Sequence, residues 1–363
     1  MKKVAIIIVN FNGQKYLPGL LGSIFNNPPQ TVNQQVIFVD NASHDESVEY
    51  VRENFSQIVV LEQEINWGFA KGNNLGIKYA QAHNFDYVFL LNSDALLEVG
   101  CLDILVNRIE QSNQIAAVQS KILLWPLTDL INSVGNVIHY LGFGYTNGHK
   151  TPNTIHDPAQ LDNTRSSSAG QHTINEINYC SGAACLIKLE VLNKIGLFNE
   201  GFFMYHEDLD LGWRFLLSGY KNQVVPEAIV YHKYEFSRSI KKFYFMERNR
   251  WLVILANYDL RTLLLIFPAL LVMEIGLFIF SFKNGWWREK IKIYLYFLKP
   301  TSWQKLCQTR RKIQSSRIVK DREIVVNFSG VIEHQEVNSW LMEKVINKIF
   351  NAYWLVIKKL IIW

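Results

Sequence analysis

Val4-Ala5-Ile6-Ile7-Ile8-Val9, followed at once by Asn10-Phe11-Asn12-Gly13, decides how the first half of this 363-residue chain folds. The run is apolar throughout, dominated by β-branched side chains and free of polar alternation. That is the pattern of a strand covered on both faces in a parallel sheet. The Asn/Gly break ends it, and helical spacing follows over 16–25. Moving outward, the alternation repeats. A strand over 35–39 ends in Asp40-Asn41-Ala42-Ser43 and gives way to an acid-rich helix over 45–54. A short strand over 58–61 leads to Asn66-Trp67-Gly68-Phe69-Ala70-Lys71-Gly72-Asn73-Asn74-Leu75-Gly76 and a helix through Ala82. The apolar run 87–91 then stops at Asn92-Ser93-Asp94. The pattern β-α-β-α-β-α-β predicts an α/β fold with a doubly wound, mostly parallel sheet.

The overall charge of +5 conceals a division. Residues 1–237 hold 15 Lys/Arg against 23 Asp/Glu, whereas 238–363 hold 22 against 9. The expected organisation is therefore a catalytic domain over 1–240 and a basic, aromatic-rich helical region over 241–363. Four cysteines (Cys101, Cys180, Cys185, Cys307) show neither metal-ligand spacing nor a disulfide framework, which suits a reducing compartment. The apolar run behind Lys2 and Lys3 is too short for a signal peptide, so the catalytic half is expected in the cytoplasm.

In a doubly wound sheet, ligands bind beyond the carboxyl ends of the strands. Those ends here carry Asn10, Asp40, Asn41, Asn92 and Asp94. Asp40 is suited to accept hydrogen bonds from a base or ribose. Gly72-Asn73-Asn74, read as a turn at a helix start, would present N–H groups to a diphosphate. Asp94 is suited to a hard cation, Mg²⁺ or Mn²⁺, shared with phosphate oxygens. Each has a plainer alternative: either aspartate could cap the helix that follows, and Gly and Asn supply turns anywhere.

Further on, Phe202-Phe203-Met204-Tyr205-His206-Glu207-Asp208-Leu209-Asp210-Leu211-Gly212-Trp213-Arg214 sets three carboxylates at the start of an amphipathic helix. A partly desolvated carboxylate beside aromatic residues makes a general base. The alternative is an acidic helix N-terminus favoured by the macrodipole, with Arg214 as partner. Two short strands over 222–225 and 228–231 are expected to lead to His232, which by itself reads as a structural strand-end histidine. Between these, 141–145 and Ser166-Ser167-Ser168-Ala169-Gly170 suggest either acceptor-facing mobile loops or an ordinary insertion.

The succession of these stretches resembles the family 2 glycosyltransferases of the GT-A fold, and more narrowly the bacterial rhamnosyltransferase-like branch that builds cell-surface polysaccharides. The likeness covers about residues 4–240. It is carried by Val9-Asn10-Phe11-Asn12-Gly13, Val39-Asp40-Asn41-Ala42-Ser43, Asn66-Trp67-Gly68-Phe69 with Gly72-Asn73-Asn74, Asn92-Ser93-Asp94, Tyr179-Cys180-Ser181-Gly182-Ala183-Ala184, Gly196-Leu197-Phe198 and Glu207-Asp208-Leu209-Asp210. The resemblance implies a nucleoside-diphosphate sugar donor, with Asp40 at the nucleoside. It places Asp94 at the metal position of an Asp-X-Asp element whose first place is here taken by Asn92. It also implies His232 as a further metal ligand, Asp208 as general base and Glu207 in support. A base on the acceptor and a cation on the leaving group describe a single displacement with inversion. The same branch makes dTDP-L-rhamnose the first donor to test, with UDP-hexoses open.

The basic tail holds an apolar stretch over 262–282 whose sole charge is Glu274. Length permits a membrane span, but basic residues flank both sides, which favours monotopic attachment to an anionic membrane surface. Residues 345–363 read as an interfacial amphipathic helix. The alternative is a helical appendage that packs on the catalytic domain or makes a homodimer. Apolar runs of this length are unnecessary for nucleic acid. Together these features suggest a polyprenyl-diphosphate-linked saccharide acceptor at the cytoplasmic face of a bacterial inner membrane. Glu247-Arg248-Asn249-Arg250-Trp251 faintly resembles the Gln-X-X-Arg-Trp element of processive synthases, yet one candidate span is too few for an export channel. A non-catalytic sugar-nucleotide-binding scaffold and a nucleotidyltransferase are the remaining competitors.

Overall fold

The apolar run at the N-terminus forms an interior strand of a ten-stranded sheet in the computed structural model, which describes residues 1–153, 175–233, 241–333 and 345–363. β1 (Lys2–Asn10), β2 (Val32–Asp40), β3 (Val59–Glu62) and β4 (Tyr87–Leu91) run parallel in the spatial order β3-β2-β1-β4. α1 (Leu17–Phe25), α2 (Ser47–Asn54) and α3 (Gly68–Ala82) make the crossovers. Val4, Ile6 and Ile8 share a core with Leu17, Leu20 and Ile24 of α1. Ile7 and Val9 point the other way, where α3 covers them. A Cβ on Gly76 would stand 2.6 Å from Ile7, and one on Gly72 would stand 2.8 Å from Val9. Helices on both faces are what a fully apolar strand requires.

Beyond β4 the sheet becomes mixed. β5 (Ala95–Leu97), α4 (Cys101–Glu110), β6 (Ile115–Leu124) and β7 (Ile131–Ser133) follow, then a ribbon of β8 (Asn136–Ile138) with β9 (Gly144–Thr146). β10 (Glu176–Ile177), β11 (Ala184–Lys188), α5 (Leu189–Ile195), α6 (Glu207–Leu217) and β12 (Lys221–His232) complete this part of the chain. β11 enters antiparallel between β4 and β6, and β12 lies parallel to β6. The two strands expected over 222–225 and 228–231 are one strand, with a register shift between Val225 and Ile229. Pro226 lies in that shift, and proline, having no N–H to give the ladder, is accommodated at bulges. The tract 166–170, read above as a loop, lies outside the described residues.

Packing divides the chain into two units. The first is Met1–Asn136, Thr146–Phe203 and Tyr220–Glu235; the second is Val137–Tyr145, Met204–Gly219 and Phe236–Trp363. α6 thus belongs with the C-terminal helices rather than with the sheet. These are α7 (Lys241–Asn257), α8 (Leu260–Lys283), α9 (Trp287–Leu298), α10 (Pro300–Ser315), α11 (Asp321–Ile324) and α12 (Asn347–Leu360). The reason is aromatic packing. Trp213 of α6 meets Tyr258 and Phe328 edge-on at ring separations of 4.7 and 4.8 Å, and the Leu217 carbonyl accepts from the N–H groups of Ile318 and Val319.

A buried ion cluster ties α7, α8 and α9 together. Glu247 accepts from Arg250 and from Lys290 at 3.0 Å each, while Glu274 meets Lys290 at 2.8 Å and Arg250 at 3.5 Å. Burial alone would raise the Glu247 carboxyl, but Arg250 and Lys290 beside it bring it down to about 2. Removing one partner from such a cluster leaves a buried charge uncompensated, at a cost of about 3–5 kcal/mol.

Candidate active site

Asp94 and His232, 138 residues apart in sequence, stand 3.1 Å apart from Oδ1 to Nε2. Sheet register brings them together. β5 pairs antiparallel with the end of β12, Ala95 opposite His232, and the Lys233 N–H closes on the Asp94 carbonyl at 2.9 Å. The possibility that Asp94 caps a helix falls away, because a strand follows it. His232 Nδ1 faces Asn132 Oδ1 at 3.1 Å. An Nδ1–H donated there leaves the Nε2 lone pair directed at the carboxylate, and Asn92 Nδ2 approaches the same nitrogen at 3.3 Å.

Two lone-pair atoms facing each other at this distance fit a shared cation. Cis ligands of an octahedral ion with bonds near 2.1 Å stand about 3.0 Å apart. Asn132, fixing the imidazole from behind, is the outer-shell partner that metal-bound histidines characteristically have. Among the described residues no group of three or more His, Cys, Asp or Glu side chains gathers around one point. Asp94 and His232 are thus two ligand-type side chains that could hold Mg²⁺ or Mn²⁺.

Asp40 ends β2 next to Asn10 of β1, its register partner. Its carboxylate accepts from Asn10 Nδ2 at 3.0 Å, Ser43 Oγ at 2.6 Å and the Ser43 N–H at 2.8 Å. Three of about four lone-pair positions are thereby used within the protein. Asn41 donates to the Gly68 carbonyl at 3.1 Å, while Asn10 Oδ1 and Asn41 Oδ1 are buried without a hydrogen-bond partner.

The expectation for Gly72-Asn73-Asn74 is corrected. α3 begins at Gly68, so these residues lie a full turn inside it rather than in a turn at its start. All three are buried. Asn73 donates to the Phe69 carbonyl, and Asn74 clamps the Phe198 backbone through both amide atoms while donating to Glu200. Their polar groups hold the protein together, and Gly72 serves close packing on Val9. The helix start is itself supplied with partners. The Gly68 N–H donates to Asn66 Oδ1 and the Ala70 N–H to the Phe203 carbonyl.

In the second unit, α6 opens from a left-handed turn at Tyr205 and His206. Such backbone is costly for residues other than glycine and persists only where surroundings enforce it. Asn249 of α7 does so, its Nδ2 donating to the carbonyls of Met204 at 2.9 Å and Tyr205 at 2.7 Å. Three carboxyls then part ways. Asp210 is buried, bound to Arg214 at 2.8 Å and to Asn257 Nδ2 at 3.1 Å, so the arginine expected to pair within this helix pairs with Asp210. Glu207 is enclosed, with Oε2 lacking a hydrogen-bond partner. Burial first, and then the neighbouring Asp208 and Asp210, push its carboxyl well above the usual range. Asp208 is only half-buried, its Oδ1 accepting from the Leu209 N–H at 2.8 Å. The desolvation expected of the base therefore falls on its neighbour.

Asn132 and Asn249 had no signal in the sequence that singled them out, since each acts on residues 44 or more positions away.

The profile described as Glycosyl transferase family 2 matches residues 5–196. The low-salt glycan biosynthesis hexosyltransferase Agl10 of Haloferax volcanii is 25% identical over 216 residues, which is 58% of this chain and 61% of the relative. The chain thus aligns with less than two thirds of that protein's length. The rhamnosyltransferase WbbL of Escherichia coli is 21% identical over 257 residues, 68% of this chain and 89% of its own. Among solved structures, GalNAc-T7 with UDP, GalNAc and Mn²⁺ superposes with a TM-score of 0.55 at 16% identity, over 72% of this chain and 49% of that one, a likeness of fold alone. With the profile running from inside the buried strand β1 to the glycine that ends α5, more than half of its length, the chain belongs to glycosyl transferase family 2.

Proposed function

We propose that this chain is an inverting, metal-assisted glycosyltransferase that moves one sugar from a nucleoside-diphosphate sugar to a saccharide acceptor. Asp208 takes the proton of the acceptor hydroxyl as the new bond to the anomeric carbon forms, and the bond from that carbon to the diphosphate oxygen breaks. Burial, and then the neighbouring Asp208 and Asp210, raise the Glu207 carboxyl and so disfavour a second negative charge beside Asp208, the proposed proton acceptor. Mg²⁺ or Mn²⁺, when bound at Asp94 and His232, would neutralise charge on the departing diphosphate. Asn132 orients His232 from Nδ1, and Asp40, with Asn10 and Asn41, shapes the nucleoside end.

The observation that carries this reading is the facing pair Asp94–His232 at 3.1 Å, held by sheet register at a strand end of a family 2 fold. The name of the Escherichia coli relative supports rhamnose as the sugar moved, which keeps the dTDP-L-rhamnose expected above as the first donor to test. The basic second unit with its apolar helix supports a polyprenyl-diphosphate-linked acceptor used at the cytoplasmic face of a bacterial inner membrane.

The test is a thermal-shift screen of the full chain with dTDP- and UDP-sugars, with and without Mn²⁺. Stabilisation by one nucleotide class only when Mn²⁺ is present, lost in Asp94→Asn and His232→Gln, is the expected result. Stabilisation that ignores the metal would remove Asp94 and His232 from the donor site.

A further inference from the structure

We propose that α8 lies in the plane of an anionic bilayer surface, half immersed, with both ends on the same side, and does not cross the membrane. The inference rests on the membrane-attached reading above and specifies its geometry.

By composition α8 is apolar all round, and it is the one helix among the described residues long and apolar enough to span a bilayer. The fold divides it. Thr262, Ile266, Ala269, Leu270, Met273 and Ser281 are buried against the unit. Leu260, Leu264, Phe267, Leu271, Ile275, Phe278 and Phe282 are exposed. Their spacing of 4, 3, 4, 4, 3 and 4 keeps them on one stripe, roughly 33 Å long at 1.5 Å per residue. Half of the circumference is therefore already occupied by protein. Only the other half can meet lipid.

The occupied half carries charge. Glu274, near the middle of the apolar stretch, accepts from Tyr294 Oη and Lys290 at 2.8 Å each. A crossing would take this carboxylate and its partners toward the bilayer centre, where ionised groups are costly. It would also take α9, which turns back after Gly285 and stacks Trp287 on Phe282. That helix bears Arg288, Glu289, Lys290 and Lys292 within its first six residues. In-plane immersion avoids both costs.

Charge and aromatic placement name the occupant. α8 begins with Arg261 and ends with Lys283, and Arg288, Lys292 and Lys299 are exposed just beyond. A crossing helix prefers its cations at one end, whereas a helix lying on an anionic leaflet gains from cations at both. Exposed Ile291, Tyr294, Leu295 and Leu298 continue an apolar stripe on α9.

The experiment uses the full chain with Cys307→Ser, which removes the exposed cysteine and leaves three buried ones. Leu264→Cys, Leu271→Cys, Ile275→Cys and Phe282→Cys, all at exposed sites, each receive an environment-sensitive fluorophore. The proteins are mixed with phosphatidylglycerol/phosphatidylethanolamine vesicles bearing quenchers at shallow or deep positions. Expected is a flat profile, all four quenched alike and chiefly by the shallow quencher. A V-shaped profile, with Leu271 and Ile275 sites deep and the outer two shallow, would show a crossing and overturn this inference while leaving membrane attachment intact. Failure to sediment with vesicles, from folded protein, would overturn attachment itself. In a second arm, Leu271→Asp with Ile275→Asp should lower vesicle binding at least ~10-fold without changing thermal stability. If the same pair instead dissolves a dimer seen without vesicles, the stripe belongs to a second copy of the chain and the proposal fails.

Discussion

The strand-end pair in the first unit and the carboxylates of α6 in the second are held by different means. Asp94 and His232 are placed by backbone register, a ladder of hydrogen bonds that resists the loss of any single side chain. Glu207 and Asp208 follow a left-handed turn whose carbonyls are held by the side chain of Asn249. The first arrangement is stiff because it is part of the sheet. The second stores strain, and its protonation is set by enclosure rather than by a partner. In the proposed mechanism the first would hold a cation, which benefits from fixed ligands, and the second would take up a proton, which benefits from a tuned environment.

The largest expected effect separates the two roles. Asp208→Asn should lower kcat by about 10³-fold while leaving nucleotide affinity unchanged, and Asp94→Asn should instead weaken Mn²⁺-dependent nucleotide binding. Steady-state kinetics and calorimetry on both variants decide the matter. Equal losses of affinity in the two would erase the distinction.

Acid should distinguish the units next. His139 is fully buried; burial, countered in part by a hydrogen bond at Gly330 and reinforced by Arg250, lowers it to about 3, and burial likewise lowers His206 to about 4. Between pH 6.5 and these values the unfolded chain binds protons that the folded one refuses, so stability falls as pH drops through that window. The full contribution of His139 is on the order of 5 kcal/mol. Glu247, lowered to about 2, adds a loss below about pH 4.5. Glu207, raised, works in the opposite direction as it takes up its proton. In the first unit Asp45 and Asp103 have lowered values, and their hydrogen bonds are lost only below pH 3.8. Hydrogen exchange at pH 7 and pH 5 should therefore show α7 losing protection before β1 and β4 do. Simultaneous loss would mean that the buried histidines are not the weak point.

The smallest effect tests the sheet's own packing. Gly72→Ala puts a methyl 2.8 Å from Val9 and should cost about 1–3 kcal/mol, read as a lower Tm with Mn²⁺ dependence retained. A loss of nucleotide binding out of proportion to that change would restore the phosphate-facing role first suggested by Gly72-Asn73-Asn74.

Much of the sheet was legible because its signals are local. The run over 87–91 is a strand to the residue, since five consecutive buried positions leave no other period to fit. Gly72 was misplaced because Gly-Asn-Asn reads as a turn in isolation, whereas helix α3 needs small residues at 72 and 76 to lie close on β1. The strand near 222–232 was divided because Pro226 interrupts a pattern that a bulge absorbs. Glu207 and Asp208 were visible as residue types, but which of them is enclosed depends on packing. The grouping of α6 with the C-terminal helices was not legible at all, because Trp213 meets Tyr258 and Phe328 only after folding.

The pairing of Ala95 with His232 has an evolutionary consequence. Because a three-residue strand clips directly onto the last residues of a twelve-residue one, the spacing of Asp94 and His232 does not depend on how much chain lies between them. Insertions and deletions in the intervening connections are therefore open to selection without penalty to that pair. A lineage carrying this fold can trade one acceptor for another by rebuilding loops, generation after generation, around a point that does not move.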